Sequence, residues 1–155
     1  MLTKPKYGWS TLTICDHYLF SFSYISDMPY DLIDAFIEFF ESNKFYVEFN
    51  GEENVAALAI FDNRLFFITE QSCPPETIQG IEITNEMLKL PASASLNELM
   101  YYLAQLLAKD VVLYADDWAW WRAADTEEMV KEKEHLLDRL SDLKKYIERK
   151  KHGKD

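Results

Sequence analysis

Asp27, Asp31, Asp34, Glu38 and Glu41 recur at spacings of four, three, four and three within "DMPYDLIDAFIEFFE". That period lines five carboxylates along one side of a helix. Leu32, Ile33, Phe36, Phe39 and Phe40 fill the side turned away. Such a row is either the solvated face of an amphipathic helix or a negative surface for a cationic partner. Two features favour the partner. No Lys or Arg is interleaved, so carboxylates four apart repel instead of forming stabilising pairs. Glu48, Glu52 and Glu53 follow closely, with Asp62 beyond. Asp27 and Asp31 gain from a helix N-terminus, whereas Glu38 and Glu41 fall at the unfavourable end.

Other residues with chemical potential point to less. Asp116 and Asp117 in "YADDWAWWRAAD" are paired carboxylates, but adjacent side chains point apart and no His stands at a suggestive distance, so a polar turn after a strand is expected. His17, His135 and His152 share no metal-ligand spacing with one another or with Cys15 and Cys73. Neither cysteine has a neighbouring His to activate it. Four glycines make no phosphate-cradling loop. The expectation is a non-enzyme without cofactor or metal. Trp118, Trp120 and Trp121 cluster beside Arg122; Trp and Arg together mark protein-binding hot spots, and large rings equally anchor a helix to a core. Trp118 and Trp121 join the candidate partner-binding residues with Asp116, Asp117 and the acidic set.

The totals agree with a binding protein. The chain has 155 residues, 48% hydrophobic and 15% aromatic, with a formal charge of −11. This length suits one domain with a buried core, residues 1–155. The charge disfavours nucleic acid and anionic membrane. Residues 1–128 carry 21 Asp and Glu against seven Lys and Arg; residues 129–155 carry six against nine. A body of net −14 therefore bears a tail of +3. Two cysteines without CxxC spacing fit a reducing cytosol. No signal peptide is apparent, and no segment reaches the roughly 18 apolar residues of a membrane span. A cytoplasmic protein is expected.

The elements that must position these residues are legible in part. "WSTLTIC" and "HYLFSFSYI" read as strands with "DH" between them, the second with Tyr18, Phe20, Phe22 and Tyr24 on one aromatic face. Asp27 should cap the acidic helix, with Pro29 in its first turn and Asn43 ending it in a left-handed conformation. "KFYVEFN", "NVAALAIFD" and "RLFFITE" form a three-stranded meander with turns at "NGEEN" and "FDNRL". "QSCPPETIQG" reads as a loop, and "IEITNEMLKL" as a short strand followed by a helical turn. Ser95 and Glu98 form a capping box for a helix whose apolar face runs from Leu96 to Leu107. "VVLYA" is a candidate strand. A last helix, residues 126–151, starts after an Asp125–Glu128 cap. Met129, Leu136, Leu140, Leu143 and Ile147 give it a heptad-like seam, interrupted by Lys133, which either docks on the body or pairs two chains. The class is α+β: a mostly antiparallel sheet, hairpin plus meander, covered by helices.

The order "GWSTLTI", "SYISDMPYDLIDAFIEFFE", "VEFNGEE" resembles small bacterial immunity proteins of polymorphic and contact-dependent growth inhibition toxin systems, over roughly residues 8 to 70. The resemblance implies a cytosolic protein that binds and neutralises one cognate toxin domain, often a nuclease with a basic cleft; the C-terminal helix leaves monomer or homodimer open. Two other readings stay open: a phosphate-mimicking inhibitor of DNA-binding proteins, and a small-ligand or enzymatic domain with a pocket lined by Tyr18, Phe20 and Trp118.

Overall fold

The computed structural model describes residues 1–70 and 78–151. Cys73 and most of the expected 71–80 loop lie outside the described residues. The fold is α+β, with a two-stranded and a four-stranded antiparallel sheet and a long C-terminal helix.

Strands β1 (Trp9–Ile14) and β2 (His17–Ser23) form the N-terminal hairpin. Its turn falls at Cys15 and Asp16, with Cys15 at φ 53°, one residue earlier than "DH" suggests. The register shifts between Leu12 and Thr13. The expected uniform aromatic face is thus divided: Phe22 is buried, Phe20 half-buried, and Tyr18 and Tyr24 exposed.

Helix α1 (Tyr30–Ser42) follows. Its end is as read, with Asn43 left-handed and its N–H donating to the Phe39 carbonyl. Its start differs. Pro29, not Asp27, occupies the N-cap, and no side chain caps the helix. The Asp27 backbone carbonyl accepts from Asp31 N–H at 2.9 Å, while its carboxylate is drawn away to Arg122.

The meander consists of β3 (Tyr46–Asn50), β4 (Val55–Phe61) and β5 (Arg64–Glu70), extended by a fourth strand, β6 (Ile78–Ile83). Asp62 and Asn63 both have positive φ, the conformation that a two-residue hairpin turn requires. Gly51 is needed for a different reason: a Cβ there would stand 2.9 Å from the Phe20 ring and 2.8 Å from Asn54. After β6 the backbone makes two i→i+3 turns, closing at Leu88 and Lys89, and no α-helical turn.

Helix α2 (Leu96–Leu113) begins at the Ser95 cap, whose hydroxyl accepts from Glu98 N–H at 3.1 Å. It absorbs "VVLYA", which is not a strand. Leu103, Leu107 and Val111 form one buried stripe at helical spacing that carries α2 through Leu113, and Tyr114 is the turn before the helix resumes at Ala115. The weak β preference of two valines yields to that burial. Helix α3 (Ala115–Trp120) follows immediately, so Asp116 and Asp117 sit in a helix's first turn, not in a turn after a strand. Helix α4 (Thr126–Lys151) packs on α1, α2 and α3. Its cap is as read: Asp125 accepts from Glu128 N–H at 2.9 Å, and the Glu128 carboxylate accepts from Ala124 N–H at 2.8 Å.

One core joins these layers. The inward side chains of the large sheet, including Val47, Phe49, Leu58, Leu65, Phe67 and Ile83, are buried with the apolar faces of α1, α2 and α4. Phe36 meets Phe45 at 5.0 Å between ring centres, and Phe22 meets Phe49 at 5.4 Å. Leu136, Leu140, Leu143 and Ile147, the seam that could have paired two chains, are consumed inside this core.

Candidate functional site: the acidic helix and its surroundings

The α1 carboxylates all lie on its exposed side, as the spacing requires. What the sequence does not disclose is that α4 and the segment before it bring cations to two of them. Arg139 donates from Nε to Asp34 at 2.6 Å and from Nη1 to Asp142 at 3.1 Å. Arg122 reaches Asp27 at 2.9 Å. The Tyr146 hydroxyl donates to Glu41, a bond that leaves the carboxylate's charge in place. These contacts are correctly spaced only because α4 lies along α1; Arg139 is 105 residues from Asp34 in sequence.

Asp31 and Glu38 remain exposed between the paired groups, and neither forms an ion pair among the described residues. Asp31's pKa is raised, first by desolvation and then by the like charges of Asp27 and Asp34, with Arg122 offsetting part. The row therefore still repels itself at its centre after the helix cations are in place. Beside it, Tyr30 donates to the Glu132 carboxylate and carbonyl, both at 3.4 Å. Its phenol is pushed up to about 12, by burial first and then by the charge and hydrogen bond of Glu132.

The remaining acidic candidates are differently placed, all exposed except Asp117. Glu48 projects from the outward face of β3 and accepts from Tyr46 Oη at 2.6 Å. Glu52 and Glu53 occupy the β3–β4 turn, with Glu52 at φ 72° and its N–H donating to Asn50 Oδ1 at 2.7 Å. Asp116 pairs with Lys133 at 2.7 Å, which explains the lysine that interrupts the α4 seam. Asp117 is half-buried.

The tryptophan segment requires correction. Trp118 is 2% exposed, packed in the core, and its indole N–H is buried with no acceptor among the described residues. Trp121 is half-buried against Phe22 and Trp118. Its Nε1 donates to the Ser26 carbonyl at 3.3 Å, as does Arg122 Nη2 at 2.9 Å. Ser26 Oγ in turn accepts from Asn50 N–H at 2.7 Å. Instead of a hot spot turned outward, Trp121 and Arg122 form a clasp that fixes the entry to α1. Trp120 is the exposed ring. Tyr18 lies open to solvent while Trp118 is sealed, which removes the shared wall of a pocket between them.

A second surface was not anticipated. On the outward side of the large sheet the pairing sets Tyr46, Ala59, Phe66 and Glu82 in one row, and Glu48, Ala57, Ile68 and Gly80 in the next. Of these, Ala57 and Ala59 are buried and Phe66 and Ile68 half-buried. Val55 (42%) and Phe61 (55%) are exposed at the two ends of β4. Arg64 stacks over Phe66 at 5.2 Å. The signal was available in "VAALAIF": a strand apolar on both faces calls for cover on both.

Among the described residues no group of three or more His, Cys, Asp and Glu could hold a metal ion, and no helix is long and apolar enough to cross a membrane. No family model, curated protein or solved structure matches the chain.

Proposed function

We propose that this chain is a cytoplasmic immunity-type protein that binds a cognate basic protein domain, one that cleaves nucleic acid, and neutralises it through an acidic surface centred on α1. One observation carries the reading: Asp31 and Glu38 stand exposed on one side of α1 beside further carboxylates, and neither forms an ion pair among the described residues. Charge that opposes its own neighbours is consistent with a docking partner that supplies the missing cations. Glu41 extends the negative region along α1, whereas Glu48 lies on the outward side of the sheet and Glu52 and Glu53 in the β3–β4 turn. Asp27, Asp34 and Asp116 are engaged within the chain and contribute less.

The phosphate-mimicking alternative is weakened by those ion pairs, because they interrupt the run of free carboxylates that a duplex-like surface needs. The test is co-expression with the products of the adjacent reading frames, among which the reading expects a basic domain. A one-to-one complex that silences the domain supports the reading; a basic domain that stays active and unbound at low salt overturns it.

A further inference from the structure

We infer that the outward face of β3–β6 is a second docking surface, built to take an apolar protein surface flanked by lysine or arginine. The inference rests on the reading that the partner is a basic protein domain. Three features on this face converge. The first is composition: β4 and β5 turn Ala57, Ala59, Phe66 and Ile68 to the outward side, where the two alanines are buried, Phe66 and Ile68 are half-buried, and Val55 and Phe61 are exposed at the ends of β4. Apolar side chains left partly open together on one sheet face mark an interaction site.

Gly80 is the second. It lies mid-strand in β6, exposed, opposite Ile68. A Cβ there would meet nothing closer than 3.8 Å, and its φ lies outside the left-handed range. The fold thus requires glycine at this position neither for space nor for backbone conformation. Glycine inside a strand weakens the strand and suits close approach by another chain. Its missing side chain leaves Ile68 and Phe66 uncovered, each 3.9 Å from where a Cβ would stand.

Charge selects the occupant. Glu48 lies on the face at one edge and Glu82 at the other, with Glu52 and Glu53 in the β3–β4 turn and Asp62 in the β4–β5 turn. Arg64, 3.7 Å from Glu82, is the cation that the register sets on this face. A second copy of the chain would bring the same acidic rim and the same −11, and an anionic membrane would be repelled likewise. A cationic protein surface with an apolar centre fits both terms.

The test titrates the full isotope-labelled chain with a synthetic peptide of alternating lysine and leucine, and with a peptide in which glutamate replaces each lysine. The expected result is that the lysine peptide shifts the backbone resonances of Ala57, Phe66, Ile68 and Gly80, and the glutamate peptide does not. Gly80→Val should raise the melting temperature and weaken the lysine peptide about tenfold, the scale of one lost central contact. Asp31→Lys with Glu38→Lys should leave the shifted residues the same. Shifts confined to α1, or none with either peptide, overturn the sheet face while leaving the charge reading of α1 standing. Equal binding of the glutamate peptide overturns the cationic partner. A doubled mass with the same resonances broadened before any peptide is added overturns it in favour of a second copy.

Discussion

Asp31 distinguishes an ordinary wet helix face from a surface kept for a partner. Its folded pKa lies above the unfolded value of 3.8, so folding favours the protonated form. That contribution is complete below the unfolded value and is lost as the pH rises through the folded one, so at neutral pH the ionised group opposes folding. Asp31→Asn should therefore raise the thermal midpoint at pH 7, and the gain should vanish below about pH 3.8. Loss of stability at pH 7 would mean that Asp31 is there to hold the fold. Phe36, fully buried on the opposite side, should behave in the contrary way. Phe36→Ala should cost about 3 to 5 kcal/mol in denaturant unfolding. The carboxylate spacing was legible because it depends only on helical period. The arginines opposite were not, since Arg139 and Arg122 meet Asp34 and Asp27 through tertiary packing alone. These pairs are largely exposed, so each is worth about 0.2–1 kcal/mol.

At the scale of elements, periodicity and turn chemistry served well where one face is apolar and the other polar. The hairpin, α1, β3 to β5, the Ser95 and Asp125 caps and α4 all follow from such local signals. The reading failed at "VVLYA", where β-branched residues fall on a helical stripe; at Trp118 and Trp121 it left core and interface both open, because residue type alone does not say which way a ring turns. The Ser26 clasp depends on contacts 95 and 96 residues apart and has no local signature. Docking of α4 is testable at this scale. Leu143 is fully buried at the seam, so Leu143→Ala should destabilise the whole domain by about 2 to 5 kcal/mol with the mass in solution unchanged. A fall in mass from two chains to one on that substitution would show that the seam pairs chains instead.

Taken as a whole, the molecule is an acidic body whose most basic helix lies across part of its most acidic face. The compensation is partial: α4 and Arg122 neutralise Asp27, Asp34 and Asp116, and leave Asp31, Glu38 and the β3–β4 turn carboxylates negative. The most direct measurement of the central claim is the association rate with the proposed basic partner domain, across ionic strength, for the natural chain and for Asp31→Lys with Glu38→Lys. Screening lengths fall from about 30 Å at 0.01 M to about 8 Å at 0.15 M. The reversed variant should associate more slowly at low salt, with the gap closing as salt rises. Equal rates at low salt would contradict the account, reducing the acidic row to a solvated helix face.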